Sequence, residues 1–450
     1  MISDDTIAAI ATPAGRGGVG MVRLSGPRAI EITHHLIRMP ETEIRQATLS
    51  EFLDPESGKI LDQVVVTCFR KPHSYTGEDV AEICCHGAPV ILRFLLQCCL
   101  AQCARPAEPG EFTQRAFLNG RIDLTQAEAI RDLIDSRTLF QARVAARQMG
   151  GAVAARLKPH KTRIVELIAH LEAGIDFAED DVPVSGWEDI LSRLGSIQTG
   201  LEEMAKGYDY GRIVREGLSL AIVGRPNVGK SSLFNRLLNE ERAIVTEIPG
   251  TTRDLVTETA NLNGIPLRLA DTAGIRKTED PVEKIGVERS FQAVADSDLR
   301  LLVIDSSQDW TAEDCELLQR MEPLGPILIA FNKCDLPPRN NEEIAAARET
   351  IRTSALNGKG IAQLKERLLS LAAPAREPDS EFLTNVRHQH CVQQALASLG
   401  KARNAAAQHV PHEMLLLDLY DALHAVDEIT GITTTDDVLG VIFSTFCVGK

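Results

Sequence analysis

A chain of 450 residues has room for about two to four domains. It is 44% apolar and 25% charged, as a globular protein is, and no apolar stretch reaches the ~20 residues that a membrane-spanning helix needs. Its net charge of −15 excludes strong nonspecific adhesion to nucleic acid, so any RNA partner must be held by a local patch. The ten cysteines include the adjacent pairs Cys84-Cys85 and Cys98-Cys99 but no C-x-x-C spacing. They read as small core residues in a reducing compartment, with no structural metal. The opening MISDDTIAAI lacks the basic start and long apolar core of a secretory leader, so a cytoplasmic location without membrane association is expected.

Residues 1–121 alternate strand-like and helical runs. Thr6 to Ala11, Val19 to Leu24, Gln63 to Phe69 and Val80 to Cys85 predict strands. Pro27 to Arg38 and Pro89 to Cys103 predict helices, each with proline in its first turn. This is an N-terminal α+β domain. Its glycine-rich spots, Gly15 to Gly20 and His86-Gly87, match neither a phosphate loop nor a dinucleotide fingerprint.

From Ile122 to about Gly211 the pattern is helical. Ile164, Leu167, Ile168, Leu171 and Ile175 recur on one face, while Pro159 and Pro183 predict breaks. A basic stretch holds Arg143, Arg147, Arg156, Lys158, Lys161 and Arg163, either a phosphate-binding patch or a solvated helix face.

The apolar run Leu218 to Val223 then meets Gly224, which opens the pattern G-x-x-x-x-G-K-S ending at Ser231. A helical stripe follows, with Leu233, Phe234, Leu237 and Leu238. Strand, glycine loop and helix form the context of a phosphate-binding loop, in which backbone N–H groups and the helix dipole face phosphate oxygens. Lys230 can reach the β- and γ-phosphates, and the Ser231 hydroxyl can ligate Mg²⁺. Asp271-Thr272-Ala273-Gly274 follows the apolar run Ile265 to Ala270, where a carboxylate can hold the Mg²⁺ shell and the Gly274 N–H can sense the γ-phosphate. Asn332-Lys333-Cys334-Asp335 follows Pro326 to Phe331; the Asp335 carboxylate can accept from guanine N1 and N2. Ser354-Ala355-Leu356 can place a backbone N–H near guanine O6. These loops sit where open α/β sheets bind ligands, in the order of a GTPase. The segment GRPNVGKSSLFN resembles the translation-factor-like GTPases, in the branch that includes the Era and Der families.

Beyond the linker-like Glu377-Pro378-Asp379-Ser380, helical periodicity returns, with Leu415, Leu416, Leu419, Leu423 and Val426 on one stripe. The expected organisation is an α+β domain (1–121), a helical domain in two parts (122–215 and 376–450), and an inserted Ras-like P-loop GTPase domain with a mostly parallel sheet (216–375).

With these segments in hand, the whole chain resembles the MnmE (TrmE) family of tRNA-modification GTPases. The matching stretches are TPAGRGGVGMVRLSG, YTGEDVAEICCHG, RPAEPGEFTQRAFLNGRIDLTQAEAI, the GTPase segment and the terminal FSTFCVGK. Two positions depart from the family pattern: Ala88, where many members have a second glycine, and Arg121, where others carry lysine. The resemblance implies a homodimer formed through the N-terminal domain. With an FAD-dependent partner protein it builds an aminomethyl-type group on the wobble uridine of certain tRNAs, using 5-formyltetrahydrofolate or another one-carbon tetrahydrofolate. The family pattern carries GTP contacts onto Asn227, Val228, Gly229, Lys230, Ser231 and Ser232. It carries them also onto Thr246, Glu247, Ile248, Pro249, Gly250, Thr251 and Thr252, onto Asp271 to Gly274, and onto Asn332, Lys333, Asp335, Ser354, Ala355 and Leu356.

Ile275 stands where Ras-like enzymes place a water-orienting glutamine, and an apolar side chain cannot do that work. Glu283 is the candidate in its place, and the resemblance puts the family's catalytic glutamate there. No arginine finger is evident; the resemblance implies K⁺ instead, held by Asn227 and by backbone carbonyls of Thr246, Ile248 and Thr251, with Thr252 beside Ser231 on Mg²⁺. Arg23, Glu82, Arg121 and Lys450 match the family's folate contacts. Cys447 is either a small residue packed beside Phe443 and Phe446 or a thiol delivered to the folate pocket. A different class, a ribosome-assembly GTPase that binds rRNA without modifying it, would want a KH-type domain or a second GTPase domain, and residues 376–450 read as neither.

Overall fold

The computed structural model describes residues 5–38, 44–176, 186–239, 259–270, 292–339, 348–372, 382–433 and 436–449. The first part contains β1 (Ile7–Ile10), β2 (Gly17–Ser25), α1 (Ala29–Leu36), β3 (Ile37–Arg38), β4 (Thr48–Leu53), β5 (Ile60–Phe69), β6 (Val80–Gly87), α2 (Pro89–Ala101), β7 (Arg105–Pro106) and α3 (Glu111–Leu118). Its seven strands form one sheet in the order β3-β4-β5-β6-β2-β1-β7, antiparallel except for β1 against β7. Period-two alternation sends Val22, Leu24, Val64, Val66 and Ile83 to the face covered by α1 and α2. The other face is covered at the β1 end, where Ile7 and Ala9 meet Phe112 of α3. The glycine-rich start of β2 is a packing device: a Cβ on Gly20 would stand 2.6 Å from Leu92.

Next come α4 (Leu124–Asp135), α5 (Leu139–Met149), α6 (Ala152–Asp176), α7 (Trp187–Ala205) and α8 (Tyr208–Glu216). Both α4 and α5 open with reciprocal caps, Asp123 with Gln126 and Thr138 with Gln141. The break expected at Pro159 is absent: α6 runs through it. Leu157, Ile164, Leu167, Ile168 and Leu171 are buried on either side, and their burial outweighs the one backbone bond that proline removes. Pro183 lies outside the described residues.

The G domain holds β8 (Leu218–Val223), α9 (Lys230–Asn239), β9 (Thr259–Leu262), β10 (Ile265–Leu269), β11 (Leu299–Asp305), α10 (Ala312–Met321), β12 (Ile327–Asn332), β13 (Thr350–Arg352) and α11 (Ile361–Ala372). The strand order is β13-β12-β11-β8-β10-β9, parallel except for β9 against β10. β11 is buried at every position, because helices and apolar side chains cover both faces of the sheet.

The chain closes with α12 (Val386–Ala407), α13 (His412–Thr430) and α14 (Asp436–Ser444). One core combines α6 and α7 with α12 and α13, so residues on both sides of the G domain share it. Leu439, Phe443 and Phe446 pack against Phe117 and Leu124, and the tail then bridges back, with Val448 opposite Pro109. No helix of the described residues is long and apolar enough to cross a membrane.

Candidate nucleotide site and N-terminal pocket

The carboxyl ends of β8, β10, β12 and β13 lie side by side, because those strands are parallel or share parallel neighbours. After β8 the chain turns through residues 224–229 and enters α9 at Lys230. Gly229 sits at φ 97°, and a Cβ there would stand 2.4 Å from the Asn332 amide nitrogen, so only glycine fits. Asn227 takes a left-handed φ of 65°, and its side chain and those of Ser231 and Ser232 are exposed. Lys230 Nζ donates to the carbonyls of Gly224 (2.7 Å) and Arg225 (2.9 Å).

Asn332, 1% exposed at the end of β12, ties three loops together. Its Nδ2 donates to Val228 O (2.9 Å) and its Oδ1 accepts from Ala355 N (3.1 Å). The phosphate loop and the 354–356 loop are thus fixed against one side chain. Asp335 is exposed and accepts from the Ser354 hydroxyl, while Leu356 is 82% exposed. Lys333, at φ 61°, donates to the buried Asp305 carboxylate (2.8 Å). Burial alone would raise that carboxyl; hydrogen bonds from Lys333 and Ser307 overcome it and hold it below the ordinary carboxylate value. Sequence reasoning passed over Asp305, although it closes the apolar run of β11 as Asn332 closes that of β12. It also passed over Asp314, fully buried, which accepts from Arg225 Nε (2.9 Å) and steadies the start of the phosphate loop.

β10 ends next to β8, in register Leu269 with Leu220, and Ala270 N donates to Leu220 O. The residues from Asp271 to Gly274 that follow lie outside the described residues, as do Thr246, Glu247, Ile248, Pro249, Gly250, Thr251, Thr252, Ile275, Glu283 and Lys450.

A second cluster lies on the N-terminal sheet. Arg23 and Glu82 are direct cross-strand partners on β2 and β6, joined at 2.9 and 3.0 Å. The Arg23 guanidinium lies over the rings of Tyr75 and Phe112, at 5.6 and 5.7 Å. It also donates to Gly449 O (3.2 Å), so the C-terminal tail reaches this pair. Arg121 is exposed and packs beside Gly77, two residues from Tyr75. Cys447 is exposed, and its carbonyl accepts from Gly110 N (3.4 Å).

The mostly parallel sheet and its loops define a P-loop GTPase domain, carried between the two parts of a helical domain. The family model "MnmE helical domain" matches residues 124–447, and "GTP-binding protein TrmE N-terminus" matches residues 6–121. A protein of Koribacter versatilis named tRNA modification GTPase MnmE is 53% identical, over 99% of both chains. Proteins of the same name from Aquifex aeolicus and Bacillus subtilis are 44% and 42% identical, over 99% of this chain and 100% of theirs. A solved structure of Aquifex aeolicus Era is 29% identical, covering 40% of this chain and 66% of that chain, with a TM-score of 0.29. The chain belongs to the MnmE family.

Proposed function

We propose that this chain hydrolyses GTP and uses the GTP cycle in building a carboxymethylaminomethyl-type group at carbon 5 of the wobble uridine of certain tRNAs. An FAD-dependent protein is its partner in that chemistry. The observation that carries the GTPase half is Asn332, whose amide locks the phosphate loop to the 354–356 loop beside Asp335. The phosphate loop binds the phosphates through backbone N–H groups, and Asp335 selects guanine by accepting from N1 and N2. Ser231 and Thr252 would hold Mg²⁺: a hydroxyl exposed at the start of α9 is a hard oxygen donor that suits it. Asn227, exposed in the loop, would hold K⁺ with carbonyls of Thr246, Ile248 and Thr251, and this ion would supply positive charge to the transition state. Glu283 orients the attacking water.

The modification half is supported by family membership and by the N-terminal cluster. A carboxylate, Glu82, suits the N–H groups of a pterin, while Arg23 and Arg121 suit an anionic tail. The C-terminal tail reaches Arg23 through Gly449 O, two residues beyond Cys447, which supports a role for the tail at this pair. A one-carbon tetrahydrofolate would supply the carbon when bound there. Two copies joined through their N-terminal domains form the working unit.

The test is mass spectrometry of wobble uridines in cells lacking the protein, with purified chain assayed for GTP turnover in KCl and NaCl at equal ionic strength. Loss of the modified uridine and faster turnover in KCl are expected. Unchanged uridines would overturn the modification reading, and equal rates would remove K⁺.

A further inference from the structure

The start of α5 is a corner at which two side chains tie the helix cap to the G domain and to the helix that feeds it. Thr138 Oγ1 accepts from Gln141 N (3.2 Å), and Gln141 Oε1 accepts from the N–H groups of Arg137 (2.8 Å) and Thr138 (3.2 Å). That completes the helix cap. Their remaining hydrogens reach the G domain and the helix that leads into it. The Thr138 hydroxyl donates to Gly264 O, in the turn that opens β10. Gln141 Nε2 donates to Val214 O (2.9 Å) and Arg215 O (2.8 Å), in the last turn of α8. Phe140 packs onto the G-domain core, and a Cβ on Gly264, at φ 95°, would stand 2.7 Å from Phe140 Cβ. Arg215 is paired with Asp132 of α4 (2.8 Å).

The three carbonyls held here lie just ahead of two adjacent parallel strands. α8 feeds β8, which ends in the phosphate loop; Gly264 opens β10, which ends at Leu269, two residues before Asp271 in the sequence. The corner therefore lies at the amino ends of the two strands whose carboxyl ends lead into the phosphate loop and toward Asp271, the residue expected to hold the Mg²⁺ shell. Beside it lies a cleft of about 610 Å³, lined by Arg131, Arg137, Arg268 and Thr384 among others, so the grip is not backed there by close packing.

We infer that Thr138 and Gln141 are positioning residues that pass the nucleotide state of the G domain to the helical domain, an inference that rests on the GTP-coupled tRNA modification proposed above. Any shift of β10 against β8 changes the spacing of these carbonyls. The helix cap cannot follow both strands without α5 moving or a bond being lost, and a buried donor left unmade is costly.

The substitution that isolates the effect is Gln141→Glu. It replaces the two donated bonds by an oxygen that faces the same two carbonyls, and keeps the oxygen that caps the helix. The full chain is compared with and without GDP and aluminium fluoride by hydrogen exchange, alongside GTP turnover, melting temperature and wobble-uridine modification. In the parent, nucleotide is expected to change exchange along α5. In Gln141→Glu that response is lost, turnover stays within about threefold, and modification falls by at least about tenfold. Thr138→Ser, which keeps the hydroxyl, behaves as the parent. Should the carboxylate prevent folding, Gln141→Met removes the same donors without charge, and the capping oxygen with them. A retained exchange response, or turnover and modification falling together with the melting temperature, overturns the inference. A parent that shows the exchange response but modifies no tRNA overturns the functional reading and leaves the joint standing.

Discussion

Asn332 uses both ends of one amide on backbone partners in two different loops, and each bond contributes about 0.5–1.5 kcal/mol net. Its larger effect is geometric, since it fixes where the loops stand relative to each other. Glu128 plays a comparable part in the helical domain. It is 7% exposed and accepts from Arg387 at 2.9 Å through both oxygens and stands 2.7 Å from His388 Nε2. Burial would raise its carboxyl, but His388 and Arg387 pull it down to about 2. An ordinary glutamate titrates at 4.5, so this stabilisation is fully present above that pH and is lost as pH falls toward 2. At about 1.36 kcal/mol per pH unit, the contribution is on the order of 3 kcal/mol. Glu128→Gln is expected to lower stability at pH 6 by about 3 kcal/mol, because it leaves the Arg387 guanidinium short of its anion. It should also flatten the fall of stability between pH 5 and about 2.5. Urea unfolding across that range, followed by circular dichroism, measures both; parallel pH profiles for parent and variant would show that Glu128 is not the group being protonated.

At the scale of elements, what could be read from the residues depended on whether side-chain period matched burial. The strands β8 and β12 are buried on both faces and appear as mostly apolar runs, and the loops after them carry residue types that only a few chemistries use, whereas β11, with Arg300 inside it, went unread. β4 escaped notice because its alternation is short and its open face mixes Leu49 with Glu51. α3 was hidden for another reason: Glu111 and Arg115 are buried in it as an ion pair at 2.9 Å, so polar letters stand where apolar ones signal a core. The two-residue strands β3 and β7 exist only through their partners. Pro159 misled in the opposite direction, since tertiary packing overrode a local breaker. Its ring is exposed, so replacing it removes no buried contact. Pro159→Ala restores a backbone donor to the helix and is expected to stabilise the protein by about 1–3 kcal/mol, less what the freer unfolded chain takes back. Thermal unfolding should shift upward by about 2–4 °C. A downward shift would mean that the proline sets a bend on which α7 or α13 depends.

The whole molecule joins an antiparallel sheet, a split helical core and a parallel sheet, and the first leaves an apolar patch exposed on an acidic chain. α1 and α2 cover one face of the N-terminal sheet, and α3 covers the β1 end of the other. The β4–β5 end of that second face carries Leu49, 67% exposed, with Leu61 and Val65 at 38% and 39%. Leu49 and Val65 are direct cross-strand partners, so they point the same way and form one patch. Exposed apolar patches on open sheet faces mark association surfaces, and a two-fold dimer would bury this one against its own copy. Burying a leucine or valine contributes roughly 1.5–3 kcal/mol each, and each is buried twice in a symmetric pair. The full-length protein should therefore sediment at twice its chain mass at micromolar concentration. Leu49→Glu combined with Val65→Glu places like charges opposite one another and should weaken the dimer by at least about a hundredfold, equivalent to roughly 3 kcal/mol. Because both positions face outward, the melting of the monomer should change little, which separates lost association from lost folding. A double variant that stays dimeric would move the interface elsewhere on the molecule; a parent that sediments as a monomer would remove the N-terminal dimer from the proposed function.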